Sequence, residues 1–170
     1  MSLKKYLPTL VAGFAAAVLA TVPGIKNFSC CLLVPGAAVF AVLLDKKITN
    51  SSEKVSIGKG LGFGFLTGVV ATIFITLFEM LLTYFARTND FIQSLPQSEI
   101  VMRQWNLGPL LDDSLKLLKG IAKEIEKTGF SFLYLILIFF SNFLINSLFG
   151  MIGGLLGMNL ANRKLKEGIH

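Results

Sequence analysis

The chain reads as an all-α membrane protein, with four transmembrane helices arranged as two helical hairpins plus one external amphipathic helix. Three observations predict this. Four long apolar runs, Tyr6–Val22, Phe28–Leu44, Leu61–Ala86 and Phe130–Leu160, are divided by clusters of charge. A hydrocarbon core about 30 Å thick needs roughly 20 apolar residues per helix, or about 17 at the short end, and every run reaches that length. The 170 residues are 54% hydrophobic and only 15% charged, too few polar side chains to coat a soluble domain. The basic residues gather at the ends of the runs, as they do in proteins that cross a bilayer.

The first run follows Lys4 and Lys5 and ends in Val18-Leu19-Ala20, which has the outline of a signal peptide; it is read as a retained first helix. Pro8 falls in its first turn, where a missing N–H costs little. The turn Pro23-Gly24-Ile25-Lys26-Asn27 closes a tight hairpin, because proline cannot continue the hydrogen-bond ladder. Pro35, with Gly36 beside it, is expected to kink the second helix. Cys30 and Cys31 are adjacent, so they cannot pair with each other in ordinary disulfide geometry, and no second Cys/His cluster completes a zinc site. They read as two small buried hydrophobes near a helix end.

The N-terminus, the connector Asp45–Lys59 and the C-terminal tail carry Lys4, Lys5, Lys46, Lys47, Lys54, Lys59, Arg163, Lys164 and Lys166. Four spans put all three on one side, and the positive-inside rule makes that side cytoplasmic. The chain then divides into 1–86 (first hairpin and third helix), 87–128 (an extracytoplasmic segment) and 129–170 (fourth helix and basic tail), within one membrane domain.

In the third run, Gly60, Gly64, Gly68, Thr72, Thr76, Glu79 and Thr83 recur at spacings of three and four, so small and polar side chains share one face. In the fourth, Asn142, Asn146, Gly150, Gly153 and Gly157 follow the same pattern, and Gly154 is a further packing glycine. Lipid provides no hydrophobic drive between helices, so close backbone approach and interhelical hydrogen bonds must hold them. The two stripes are expected to pack antiparallel. Glu79 is the one ionisable residue inside a predicted span, and counting depth from the helix ends puts it level with Asn142, its expected partner. Glu79, Asn142 and Asn146 thus form a candidate polar site, either as structural glue or as a proton or cation path. The stretch Leu10–Ala16 in the first run echoes Phe65–Ala71 in the third, which implies a parallel rather than an inverted repeat.

In the segment 87–128, Leu111, Leu115, Leu118, Ala122 and Ile125 recur at spacings of 4, 3, 4 and 3. Pro109 opens this helix, Asp112 and Asp113 favour its N-terminal end, and Lys123 and Lys127 its C-terminal end. Lys116, Lys119, Lys123 and Lys127 flank the stripe and Trp105 precedes it, a set suited to a membrane interface. The stripe can equally pack on the protein's own helices. Around Pro96, short helical turns are expected.

The net charge of +6 does not point to nucleic acid, since the lysines lie at span ends rather than on one aromatic-studded face. The glycines from Gly58 to Gly64 lack the Gly-Lys-Ser/Thr ending of a phosphate loop. The single histidine, His170, is remote from any Ser/acid set, so neither catalysis nor a metal or other cofactor is expected.

Pro23, Asn27, Cys30-Cys31 and Pro35-Gly36, followed by Val55-Ser56-Ile57-Gly58-Lys59-Gly60 opening a glycine-rich helix, resemble a domain-of-unknown-function group of small bacterial four-helix membrane proteins near 170 residues long. The resemblance covers roughly the first half of the chain. It implies a multi-pass protein of the bacterial inner membrane and supplies no active-site residues. The expected role is an accessory or membrane-organising subunit, alone as a homo-oligomer or within a larger membrane complex. The alternative is a small oligomeric transporter or channel that uses Glu79.

Overall fold

A computed structural model describes residues 6–22, 24–50, 53–104 and 108–166. Among them the chain is all-helical, with no strand. The helices are α1 (Leu7–Ala20), α2 (Val34–Thr49), α3 (Ile57–Ala86), α4 (Asp90–Arg103), α5 (Pro109–Thr128) and α6 (Phe132–Lys166). Two compact units emerge: residues 1–78 with 139–170, and residues 79–138.

Among the described residues, two helices are long and apolar enough to cross a membrane, Ile57–Ala86 and Phe132–Arg163. Only 28% and 17% of their most apolar windows are buried by protein. The core helix of a soluble protein is mostly buried, so these two turn most of their apolar surface outward. The first two expected spans are shorter than their apolar runs. α1 has 14 residues, and α2 has 16, including Asp45, Lys46 and Lys47. The break lies ahead of Pro35, where Ser29–Leu33 forms a π turn. Proline offers no N–H and its ring crowds the carbonyl one turn earlier, and the wider turn makes room for it. Pro35 therefore begins α2 instead of kinking it. The π turn also leaves Cys31 and Leu32 facing out, so Cys31 is not the buried hydrophobe the sequence suggested.

Within the first unit the side-chain sorting is inverted relative to a soluble protein. Ala12, Ala16, Ala17, Ala38, Ala41, Ala71 and Ala161 are buried, while Leu10, Phe14, Leu77, Leu144 and Leu148 are exposed. Small residues inward bring backbones together. A Cβ on Gly13 of α1 would meet the Val70 side chain of α3 at 2.7 Å, and one on Gly157 of α6 would meet the Val39 Cα of α2 at 2.9 Å. The ring of Phe14 meets that of Phe74 edge to face at 5.0 Å.

At one end of this unit the connector is tied down by polar contacts. Asn162 accepts from the Val55 N–H at 2.9 Å and donates to the Val55 carbonyl at 3.0 Å, copying the two-bond pattern of a paired strand. Lys59 reaches the largely buried Asp45 carboxylate at 2.7 Å, and the Lys46 ammonium donates to the Ala161 carbonyl at 3.1 Å.

The second unit is a helical pair with helix ends around it. α4 is a full helix of 14 residues rather than short turns, with Pro96 inside it. Its start is fixed by Asn89, whose side-chain oxygen accepts from the Ile92 N–H at 3.0 Å. α5 buries Leu111, Leu115, Ile121, Ala122 and Ile125. Ile121 and Ile125 pack with Tyr134, Met80, Phe91, Ile92 and Ile138. The apolar stripe is thus covered by the protein itself rather than left for a membrane surface, while Lys116, Lys119, Lys123 and Lys127 are all exposed. Trp105 lies outside the described residues.

Candidate functional site

The glycine stripes of α3 and α6 meet backbone to backbone. A Cβ on Gly60 would lie 3.0 Å from the Gly154 carbonyl oxygen. Added carbons on Gly64 and Gly68 would fall against the carbonyl groups of Gly150 and Asn146, closer than side chains are found. Gly60, Gly64 and Gly68 therefore engage Gly150 and Gly154. Gly153 and Gly157 do different work: they face Pro35 and Val39 of α2, so α6 uses one glycine face for each neighbour. Single-sequence spacing could not divide these roles, because residues 153, 154 and 157 sit close together around one turn.

Beyond the glycines the seam becomes polar. Thr72 donates to the Asn142 carbonyl at 3.1 Å, and the buried Asn146 donates through Nδ2 to the Thr72 hydroxyl at 3.2 Å. The hydroxyls of Thr76 and Ser147 are buried and have no hydrogen-bond partner among the described residues. Such groups are uncommon inside proteins.

Glu79 belongs to the other unit, where it accepts from the Tyr134 hydroxyl at 3.3 Å. The α6 residue given to it is Tyr134 rather than the expected Asn142. Equating the helix ends implied that Gly60 lay level with Ala161, whereas it faces Gly154. The contact register differs from that count by about two turns. Tyr134 is largely buried and its ring lies 5.5 Å from that of Phe91, so the hydroxyl is held in place.

The same unit carries a charge network between α4 and α5. Glu99 binds Arg103 at 2.8 Å and Lys119 at 2.7 Å, and Arg103 also reaches Asp112 at 3.5 Å. The Lys119 hydrogen bond, and then that of Arg103, hold the Glu99 carboxyl below its ordinary value of 4.5. Because the folded value is the lower one, the ion pairs contribute at neutral pH and are lost as pH falls through the folded value, below 4.5. Hydrogen exchange corrected for intrinsic rates should show weaker protection of α4 amides at pH 3 than at pH 6. Glu99→Gln should remove that difference; an unchanged difference in the variant would exclude Glu99 as its source.

Beside this network an open cleft of about 530 Å³ is lined by Arg103, Asp112, Leu115, Lys116, Lys119, Gly120 and Lys123. Of these, the sequence singles out Asp112, Leu115 and the lysines; Arg103 comes from another helix and Gly120 carries no pattern. No protein-family model matches the chain, and neither the curated proteins nor the solved structures contain a significant match.

Proposed function

We propose that this chain is a non-catalytic, multi-pass protein of the bacterial inner membrane that acts as an accessory or organising subunit. In this reading it has four spans, and both termini and the connector Asp45–Lys59 are cytoplasmic, in keeping with the small bacterial four-helix proteins its first half resembles. The observation that carries the proposal is the backbone contact of α3 with α6 at Gly60, Gly64, Gly68, Gly150 and Gly154. Backbones in contact leave no room for a water file along that stretch and provide a stiff scaffold for docking other membrane helices. The outward Leu and Phe side chains supply the surface that lipid or a partner would cover.

Topology is the first test. In a variant lacking Cys30 and Cys31, single cysteines at Lys54 and Ser98 should label from opposite sides of the membrane. Labelling of both from one side removes the four-span arrangement.

A second reading, proton- or cation-coupled transport through an oligomer, is favoured by Thr76 and Ser147, whose buried hydroxyls lack partners among the described residues. Polar groups of that kind line ion paths as well as helix contacts. The accessory reading expects Glu79→Gln to leave proteoliposome proton and cation flux at the level of empty vesicles, as the unsubstituted chain does. A flux present in the original chain and lost in a folded Glu79→Gln variant would replace it with transport.

A further inference from the structure

The cleft between α4 and α5 has features that the accessory role does not use. Four cationic side chains line it: Arg103 from α4, and Lys116, Lys119 and Lys123 from α5. Two of them are held in place, since Glu99 grips both Arg103 and Lys119 and Asp112 steadies Arg103 from the far side. The other two, Lys116 and Lys123, pair with no acidic side chain among the described residues. Counting Glu99 and Asp112 against the four cations still leaves the cleft positive.

Gly120 is a separate observation. It sits mid-way along α5, where glycine costs roughly 0.5–1 kcal/mol relative to alanine. No packing reason explains it, because a Cβ there would meet nothing within 4 Å. The position is on the wall of the cleft, and the missing side chain leaves the helix surface open between Lys116 and Lys123. Glu99 takes the Nε and Nη2 donors of Arg103, which leaves the Nη1 end of a fixed guanidinium for a phosphate oxygen, and mobile ammonium groups can close on the remaining oxygens. The volume exceeds what a bare ion fills and admits a phosphate with a small polar substituent.

We propose that this cleft binds a phosphate-bearing anion, with Arg103 and Lys119 as the preset contacts, Lys116 and Lys123 as the closing ones, and Gly120 as the open stretch of wall between them. The chemistry is shared by an anionic lipid headgroup and by a soluble phosphate compound. The inference is independent of the function proposed above and stands even if that one fails.

The test uses the full chain in neutral detergent, because a ligand that binds only the folded state raises its melting temperature. Dihexanoyl phosphatidylglycerol and inorganic phosphate are titrated separately at constant ionic strength. A saturable rise with the lipid alone supports the site and assigns it to a headgroup; a saturable rise with inorganic phosphate supports it and assigns it to a soluble compound. Lys116→Gln/Lys123→Gln removes two charge-assisted contacts and should raise the half-saturating concentration by about tenfold or more, tenfold being the scale of losing one. Gly120→Gln keeps every charge and improves helix propensity, yet should weaken binding similarly by filling the cleft. The proposal is overturned if neither ligand gives a saturable rise, or if the lysine variant matches the original chain. It is equally overturned if only the lysine variant weakens binding, since that describes a charged surface without a cleft.

Discussion

Gly64→Leu and Gly68→Leu are each expected to prevent α3 and α6 from docking, whereas Gly62→Leu, in the same helix and with the same added bulk, should be tolerated. The difference is geometric. A side chain at Gly64 or Gly68 would occupy the positions of the Gly150 or Asn146 carbonyl groups, which are backbone and cannot rotate away. At Gly62 a Cβ meets nothing within 4 Å. Overpacking in ordinary cores costs about 1–3 kcal/mol, and a clash with main chain should lie at or above the top of that range. Displacement would also break the Asn146 to Thr72 hydrogen bond one turn further along. Thermal melting in detergent, with size-exclusion chromatography to detect aggregation, checks the prediction. Equal melting temperatures for the three variants would mean that these backbones are not in contact.

Gly129→Ala should be nearly as damaging, for two reasons that act together. Gly129 ends α5 in the left-handed region at φ 78°, a conformation that costs a residue with a Cβ roughly 1–2 kcal/mol. The added carbon would also stand 2.6 Å from the Tyr84 carbonyl oxygen and 3.0 Å from its Cα. Gly24 separates the two effects, because it too has a positive φ, 86°, but open space around it. Gly24→Ala should therefore show only the backbone strain. If the two alanine variants melt alike, the approach of Gly129 to Tyr84 contributes nothing to stability.

The four-residue glycine spacing of α3 was legible in the sequence because periodicity records which face a residue occupies, and the seam with α6 follows from it. The same information does not contain axial register, which is why depth counting paired Glu79 with Asn142 while the structure gives it Tyr134. Tyr134 carried no signal of its own, being one aromatic among many in an apolar run. The lysines of α5 were visible for a similar reason of spacing, but the cleft they line was not: it depends on Arg103, from a helix whose existence around Pro96 the sequence barely indicated. Asn162 was hidden for another reason. It replaces a backbone partner for Val55 across more than a hundred residues, and only the folded chain brings the two together.

The glycine-lined contact of α3 with α6 also bears on the order of assembly. In water, a helix with glycine at four-residue intervals would be a poor one, since each glycine gives up more conformational freedom than alanine does. On the membrane reading proposed above, α3 and α6 lie in hydrocarbon, where the alternative to a helix is an unpaired backbone, which is far more costly, so helicity comes before any neighbour arrives. The entropy of fixing those glycines is then already spent when α3 and α6 meet. Docking becomes a separate, later and reversible step, and mutations in the seam should slow or weaken association while leaving the helical content of each segment intact.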